Sequence, residues 1–171
     1  MGKTTTKELV ITGLSIALVF VATTCINIRL PIGQGGLIHL GNVPLFLVAI
    51  VFGKKIGALA GAFGMGLFDL MGGWTPWAPA TFIIVGLMGY LVGIIAEKKD
   101  DFIGYVLAIV AACAVKVAGY YIAEALIYGN WVQPVLSIPG NLIQIGVAAV
   151  VVLPVAGVLK KALRREVAAV K

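Results

Sequence analysis

The stretch Val106–Ile127 limits what this chain can fold into more than any other. It is a nearly continuous apolar run of the length that crosses a ~30 Å hydrocarbon core as a helix, yet Lys116 sits near its middle. A lysine at that depth costs about 2.5–3.5 kcal/mol on insertion scales, so it must face protein or a water-filled hollow and have a partner. Tyr120 and Glu124 follow at i+4 and i+8, which places all three on one helical face. Two readings follow. One is a site that holds a polar solute; the other is a structural ion pair that fixes helix packing.

The rest of the chain matches this stretch. Charged residues make up 12% of it, against roughly 25% in soluble domains, and mean hydropathy is +1.08. In water such a surface would be far too apolar. The expected fold class is an all-α integral membrane protein, a single six-span domain over residues 1–171. The expected helices are Glu8–Ile26, Leu40–Phe52, Lys55–Met71, Pro79–Ala96, Phe102–Tyr128 and Ile138–Leu163. The second and third are short for a full crossing. The segment after Met1–Glu8 lacks a small-residue cleavage site and reads as a retained first span.

Basic residues punctuate the spans. Eleven of the 13 fall before span one, between two and three, between four and five, or after six. Arg29 alone falls in the opposite loops, and Lys116 lies within a span. The positive-inside rule then puts both termini in the cytoplasm of a multi-pass cell-membrane protein. This distribution, not the net charge of +6, is the informative quantity, and it argues against nucleic acid as a partner. Trp74, Trp77 and Trp131 all fall in outer loops. The outer loop Asn27–His39 carries Pro31, Gly33, Gln34, Gly35 and Gly36, a composition suited to a lid.

Polar residues of the spans converge on the outer half. His39 and Asn42 stand three apart at the start of span two. Their alternative role is helix-end capping. Asp69 lies at the outer end of span three, flanked by Trp74 and Trp77. It could instead bond the Gly72–Gly73 turn. Thr81 could donate into a cavity or back-bond within its helix. Asn141 and Gln144 stand three apart near the outer end of span six. With Lys116, Tyr120 and Glu124 these residues form the candidate substrate-binding set.

Gly53, Gly57, Gly61 and Gly64 recur along span three, as do Gly86, Gly89 and Gly93 along span four. Such faces let helices approach closely in lipid. Gly13 and Ala17 make a similar pair on span one, facing either the bundle or a partner protein. Cys25 and Cys113 have no metal-ligand spacing and read as small packing residues.

Several activities lack their parts. There is no GxxxxGK[ST] loop, so ATP hydrolysis would belong to another chain. One His and two Ser residues, Ser15 and Ser137, do not build a serine protease across the bilayer. Two alternatives stay open: a self-sufficient small channel or secondary transporter, and an intramembrane enzyme using Asp69 and Glu124.

Leu40–Gly41, the FGxxxGALAG run Phe52–Gly61, Asp69 with Gly72–Gly73, and APAT at Ala78–Thr81 form a set. This set resembles the substrate-binding S components of energy-coupling factor (ECF) vitamin transporters. The resemblance implies a membrane subunit that takes a vitamin or precursor from outside. A transmembrane T component and two cytoplasmic ATPase subunits, the latter carrying ATP and Mg, would drive release. No cofactor is implied in this chain. The family meets its T component through an alanine pair four apart in the first span; here Gly13 and Ala17 stand in that place, with Val21 four further on. The substrate implied is pyridoxine- or hydroxymethylpyrimidine-like, with pantothenate and riboflavin as alternatives.

Overall fold

The computed structural model describes residues 5–29 and 37–169, and the side chains of residues 5–27 and 39–163. Six helices follow one another: α1 (Thr6–Cys25), α2 (Asn42–Phe52), α3 (Lys54–Met71), α4 (Ala78–Lys98), α5 (Phe102–Tyr128) and α6 (Ile138–Ala169). A 3-10 turn, Gln133–Ser137, leads into α6. Among the described residues, four segments are long and apolar enough to cross a membrane: Thr6–Cys25, Ala78–Lys98, Phe102–Tyr128 and Gln133–Leu163. At 11 residues α2 is shorter, about 16 Å against about 40 Å for the 27-residue α5.

The ends of these helices have local causes. Thr5 caps α1, its hydroxyl accepting from the Glu8 amide. Asp101 caps α5 by accepting from the Gly104 amide at 2.7 Å, and Gly129 closes α5 in the left-handed conformation at φ 62°. No residue separates α2 from α3 except Gly53, whose φ of 89° turns the chain between them. The sequence reading placed Gly53 among the packing glycines; here it makes the corner.

The bundle is all-helical as expected, with one short ribbon beside it: Asn27–Arg29 (β1) and Leu37–His39 (β2) pair antiparallel, Asn27 opposite His39. The backbone groups leaving α1 and approaching α2 satisfy each other across this ribbon, which the glycine-rich composition between them does not announce. Pro31, Gly33, Gln34, Gly35 and Gly36, the expected lid, lie outside the described residues.

Glycines bring the helices together. A Cβ at Gly61 would stand 2.6 Å from the Val85 carbonyl oxygen of α4. One at Gly57 would stand 2.6 Å from the Ala49 Cβ of α2, and one at Gly64 2.7 Å from Val19 of α1. So α3 is gripped on three sides by backbones no side chain could separate. Around it Leu45, Phe46, Ala60, Val85, Met88, Ala108, Ala112 and Val152 form the core, each fully buried. Gly13 and Ala17 take no part: both are exposed on α1, with nothing within 4 Å of a Cβ at Gly13.

The two ends of the bundle differ. At one, Lys54 of α3 pairs with Glu97 of α4 at 2.7 Å, and Lys160 of α6 pairs with Asp100 at 2.8 Å and reaches the Ala96 carbonyl. The other end holds a polar hollow. Packing supplies the first test. Gly61→Val should destabilise the protein by about 1–3 kcal/mol through overpacking, whereas Gly13→Val should leave thermal unfolding in detergent essentially unchanged.

Candidate functional site: a polar hollow among four helices

Helical periodicity and short connections carry His39, Asp69, Trp74, Trp77, Lys116, Tyr120, Glu124, Asn141 and Gln144 to the walls of one partly open cavity of about 60 Å³. Asp69 comes from the end of α3, Trp74 and Trp77 from the turn into α4, Lys116, Tyr120 and Glu124 from α5, and Asn141 and Gln144 from α6. His39 enters from β2.

Lys116 is 1% exposed. Its ammonium donates to Gln144 Oε1 at 3.1 Å and lies 5.5 Å from the centre of the Tyr120 ring. No ion pair joins Lys116 to Glu124: the salt bridges among the described residues are Lys54–Glu97 and Lys160–Asp100. Eight residues along a helix is about 12 Å, too far for direct pairing. The Glu124 carboxylate instead lies against the side chains of Ser137 and Trp77. The cation and this acid therefore occupy different levels of the same wall.

Asp69 does not bond the Gly72–Gly73 turn through its side chain. Its carboxylate accepts from the Thr81 hydroxyl, while its backbone carbonyl accepts from the Trp74 amide at 2.8 Å. Thr81 thus neither back-bonds nor lines the hollow. It is 1% exposed and stands behind the wall, its hydroxyl 2.9 Å from that of Tyr120. Three helices, α3, α4 and α5, are tied by this one side chain.

His39 and Asn42 do not share a helical face, because α2 begins only at Asn42. The His39 Nδ1 accepts from the Gly41 amide at 3.3 Å, which fixes the ring so that Nε2 is the other polar atom. Asn42 is fully buried and caps nothing; neither its amide nitrogen nor its oxygen has a partner among the described residues. An unmet buried amide costs about 1–3 kcal/mol.

Aromatic rings form the rim. Trp74 and Trp77 meet edge to face at 5.5 Å between ring centres, and Trp77 meets Tyr128 at 6.0 Å. Tyr128 was not among the sequence candidates; its position one turn beyond Glu124 on the same face was the available signal. Trp131 stands apart, packed on Tyr121 and largely exposed. Among the described residues no group of three His, Cys, Asp or Glu side chains gathers as a metal would require.

Acceptors, an ammonium, amides and flat rings converge on a small space reached from one side. Comparison with known proteins agrees with a solute-binding membrane subunit. A thiamine precursor transporter, HmpT, from Lactococcus lactis subsp. cremoris is 29% identical over 139 residues, covering 81% of this chain and 79% of that protein. An uncharacterized protein from Pyrococcus woesei is 33% identical over 111 residues, 65% of this chain and 74% of that protein. The family model described as ECF-type riboflavin transporter, S component, matches residues 3–161, so the chain belongs to that family of transporter S components.

Proposed function

We propose that this S component captures a hydroxymethylpyrimidine-like thiamine precursor, or the closely similar pyridoxine, from outside the cell. The observation that carries the reading is the small, partly open cavity walled by Asp69, Glu124, Lys116, Asn141 and Gln144 and rimmed by Trp74 and Trp77. A single heteroaromatic ring stacks on such rims, and its amino and hydroxymethyl groups meet such walls. Similarity to a thiamine precursor transporter along 81% of the chain supports the same choice. The family description names riboflavin, whose three fused rings and ribityl chain ask for more room, and pantothenate would rely on Lys116 for its carboxylate.

The residues assigned to the solute are the nine that line the cavity, His39, Asp69, Trp74, Trp77, Lys116, Tyr120, Glu124, Asn141 and Gln144, with Asn42 and Thr81 buried behind them. Lys116 donates to the ring nitrogen or a hydroxyl, and the acids accept from the amine. All six helices lie within the membrane, α2 and α3 short of a full crossing, and both termini are cytoplasmic, since Lys54, Lys55, Lys98, Lys99, Lys160 and Lys161 gather at one end. A T component packs against the exposed Gly13–Ala17 face of α1, and two ATPase subunits supply ATP hydrolysis with Mg.

Two rim tryptophans make intrinsic fluorescence a direct assay. Purified protein titrated with hydroxymethylpyrimidine, pyridoxine, riboflavin and pantothenate should bind the first most tightly; tighter binding of riboflavin or pantothenate defeats the substrate assignment. Lys116→Met should weaken that binding by roughly 10- to 150-fold, the loss of a charge-assisted bond worth about 1.5–3 kcal/mol. A fall in melting temperature with unchanged affinity would make Lys116 structural.

Orientation is read by cysteine labelling. A cysteine at Gly129 should react with an impermeant reagent applied to intact cells, and one at Lys99 only after permeabilisation. The partner face has its own readout: Gly13→Leu or Ala17→Leu should reduce co-purification with the T component and ATPases while solute affinity of the isolated chain holds. Normal assembly of both variants would move the interface elsewhere.

A further inference from the structure

The hydroxyl of Thr81 carries one proton, and that proton goes to Asp69. The contact at 2.9 Å between Thr81 Oγ1 and Tyr120 Oη then has only one direction open: Tyr120 donates and Thr81 accepts. A one-way relay runs from Tyr120 through Thr81 to Asp69. Its consequence falls on the cavity, where Tyr120 and Asp69 stand in the wall and Thr81 does not. With its proton committed backwards, the Tyr120 oxygen offers a solute lone pairs only. Asp69 likewise offers lone pairs, and Glu124 on the same helix as Tyr120 adds more. Asp69, Tyr120 and Glu124 therefore all present acceptors to the hollow. The donor charge comes from Lys116, whose ammonium bonds Gln144 and carries two further N–H groups.

We propose that Thr81 is a positioning residue that sets the donor–acceptor polarity of the cavity, selecting solutes that turn N–H donors toward Asp69 and Tyr120 over matched solutes that turn a carbonyl there. This rests on the substrate reading above and deepens it. An aminopyrimidine has the required edge. Its deaminated 4-oxo counterpart is nearly the same size but places a carbonyl where the amine was, facing oxygens that cannot donate. A site whose polar groups are left unmet rejects such a near-isostere far more strongly than a change of shape would.

The experiment compares affinities of 4-amino-5-hydroxymethyl-2-methylpyrimidine and its 4-oxo counterpart for the full chain in detergent. Wild type should prefer the amino compound. Thr81→Val keeps the shape but removes the relay, so the Tyr120 hydroxyl regains a proton it can turn on a carbonyl; the preference should fall about tenfold or more. Thr81→Ser keeps the hydroxyl and should keep the preference. If Thr81→Val lowers both affinities by the same factor, the residue is merely structural and the proposal is overturned. Should the valine variant not fold, Tyr120→Phe decides: it should weaken the amino compound and leave the oxo compound unchanged, and an equal effect on both overturns the relay. Wild type that binds neither pyrimidine but binds riboflavin or pantothenate overturns the substrate reading, and the proposal with it.

Discussion

A charged ammonium held within an apolar bundle is the condition the remaining architecture has to satisfy. Lys116 cannot face lipid, so α5 must turn that side inward, and α6 must bring an acceptor to it. Gln144 is that acceptor. Fixing that contact fixes the rotation of α5, and with it the inward direction of Tyr120 and Glu124, which follow Lys116 on the same face. The hollow thus follows from where one cation had to be put.

The other side of the hollow depends on glycine. Because Gly57 and Gly61 let α3 lie against α2 and α4 at backbone distance, Asp69 at the end of α3 and Thr81 at the start of α4 come within hydrogen-bonding reach. Wider spacing of these helices would separate the carboxylate from the hydroxyl and disconnect Tyr120. Packing and chemistry are therefore the same seam read at two heights.

Much of this was legible in the sequence, for identifiable reasons. Charges that punctuate apolar runs mark helix ends directly, and all six starting points fell within two residues of those observed. The polar residues that topology placed in the outer half do meet, with two exceptions. Asn42 and Thr81 lie behind the wall, not in it. The misreading of Thr81 has a plain origin: a hydrogen bond between residues 12 apart, as in Thr81–Asp69, or 28 apart, as in Lys116–Gln144, leaves no periodic trace in a sequence. Spacing on one helix suggested Glu124 as the partner of Lys116, because spacing is the only distance a single sequence contains. The ribbon of β1 and β2 was hidden for a related reason, since its pairing depends on where α1 and α2 leave their ends.

The shortness of α2 leaves one wall of the hollow to chain outside any helix. Beside a 27-residue α5, α2 has 11 residues, and His39, which lines the hollow, comes three residues before its start. A residue inserted within α5 or α6 would swing every later side chain by about 100° and scatter Lys116, Tyr120, Glu124, Asn141 and Gln144 around their helices. The same insertion ahead of His39 turns no helical face.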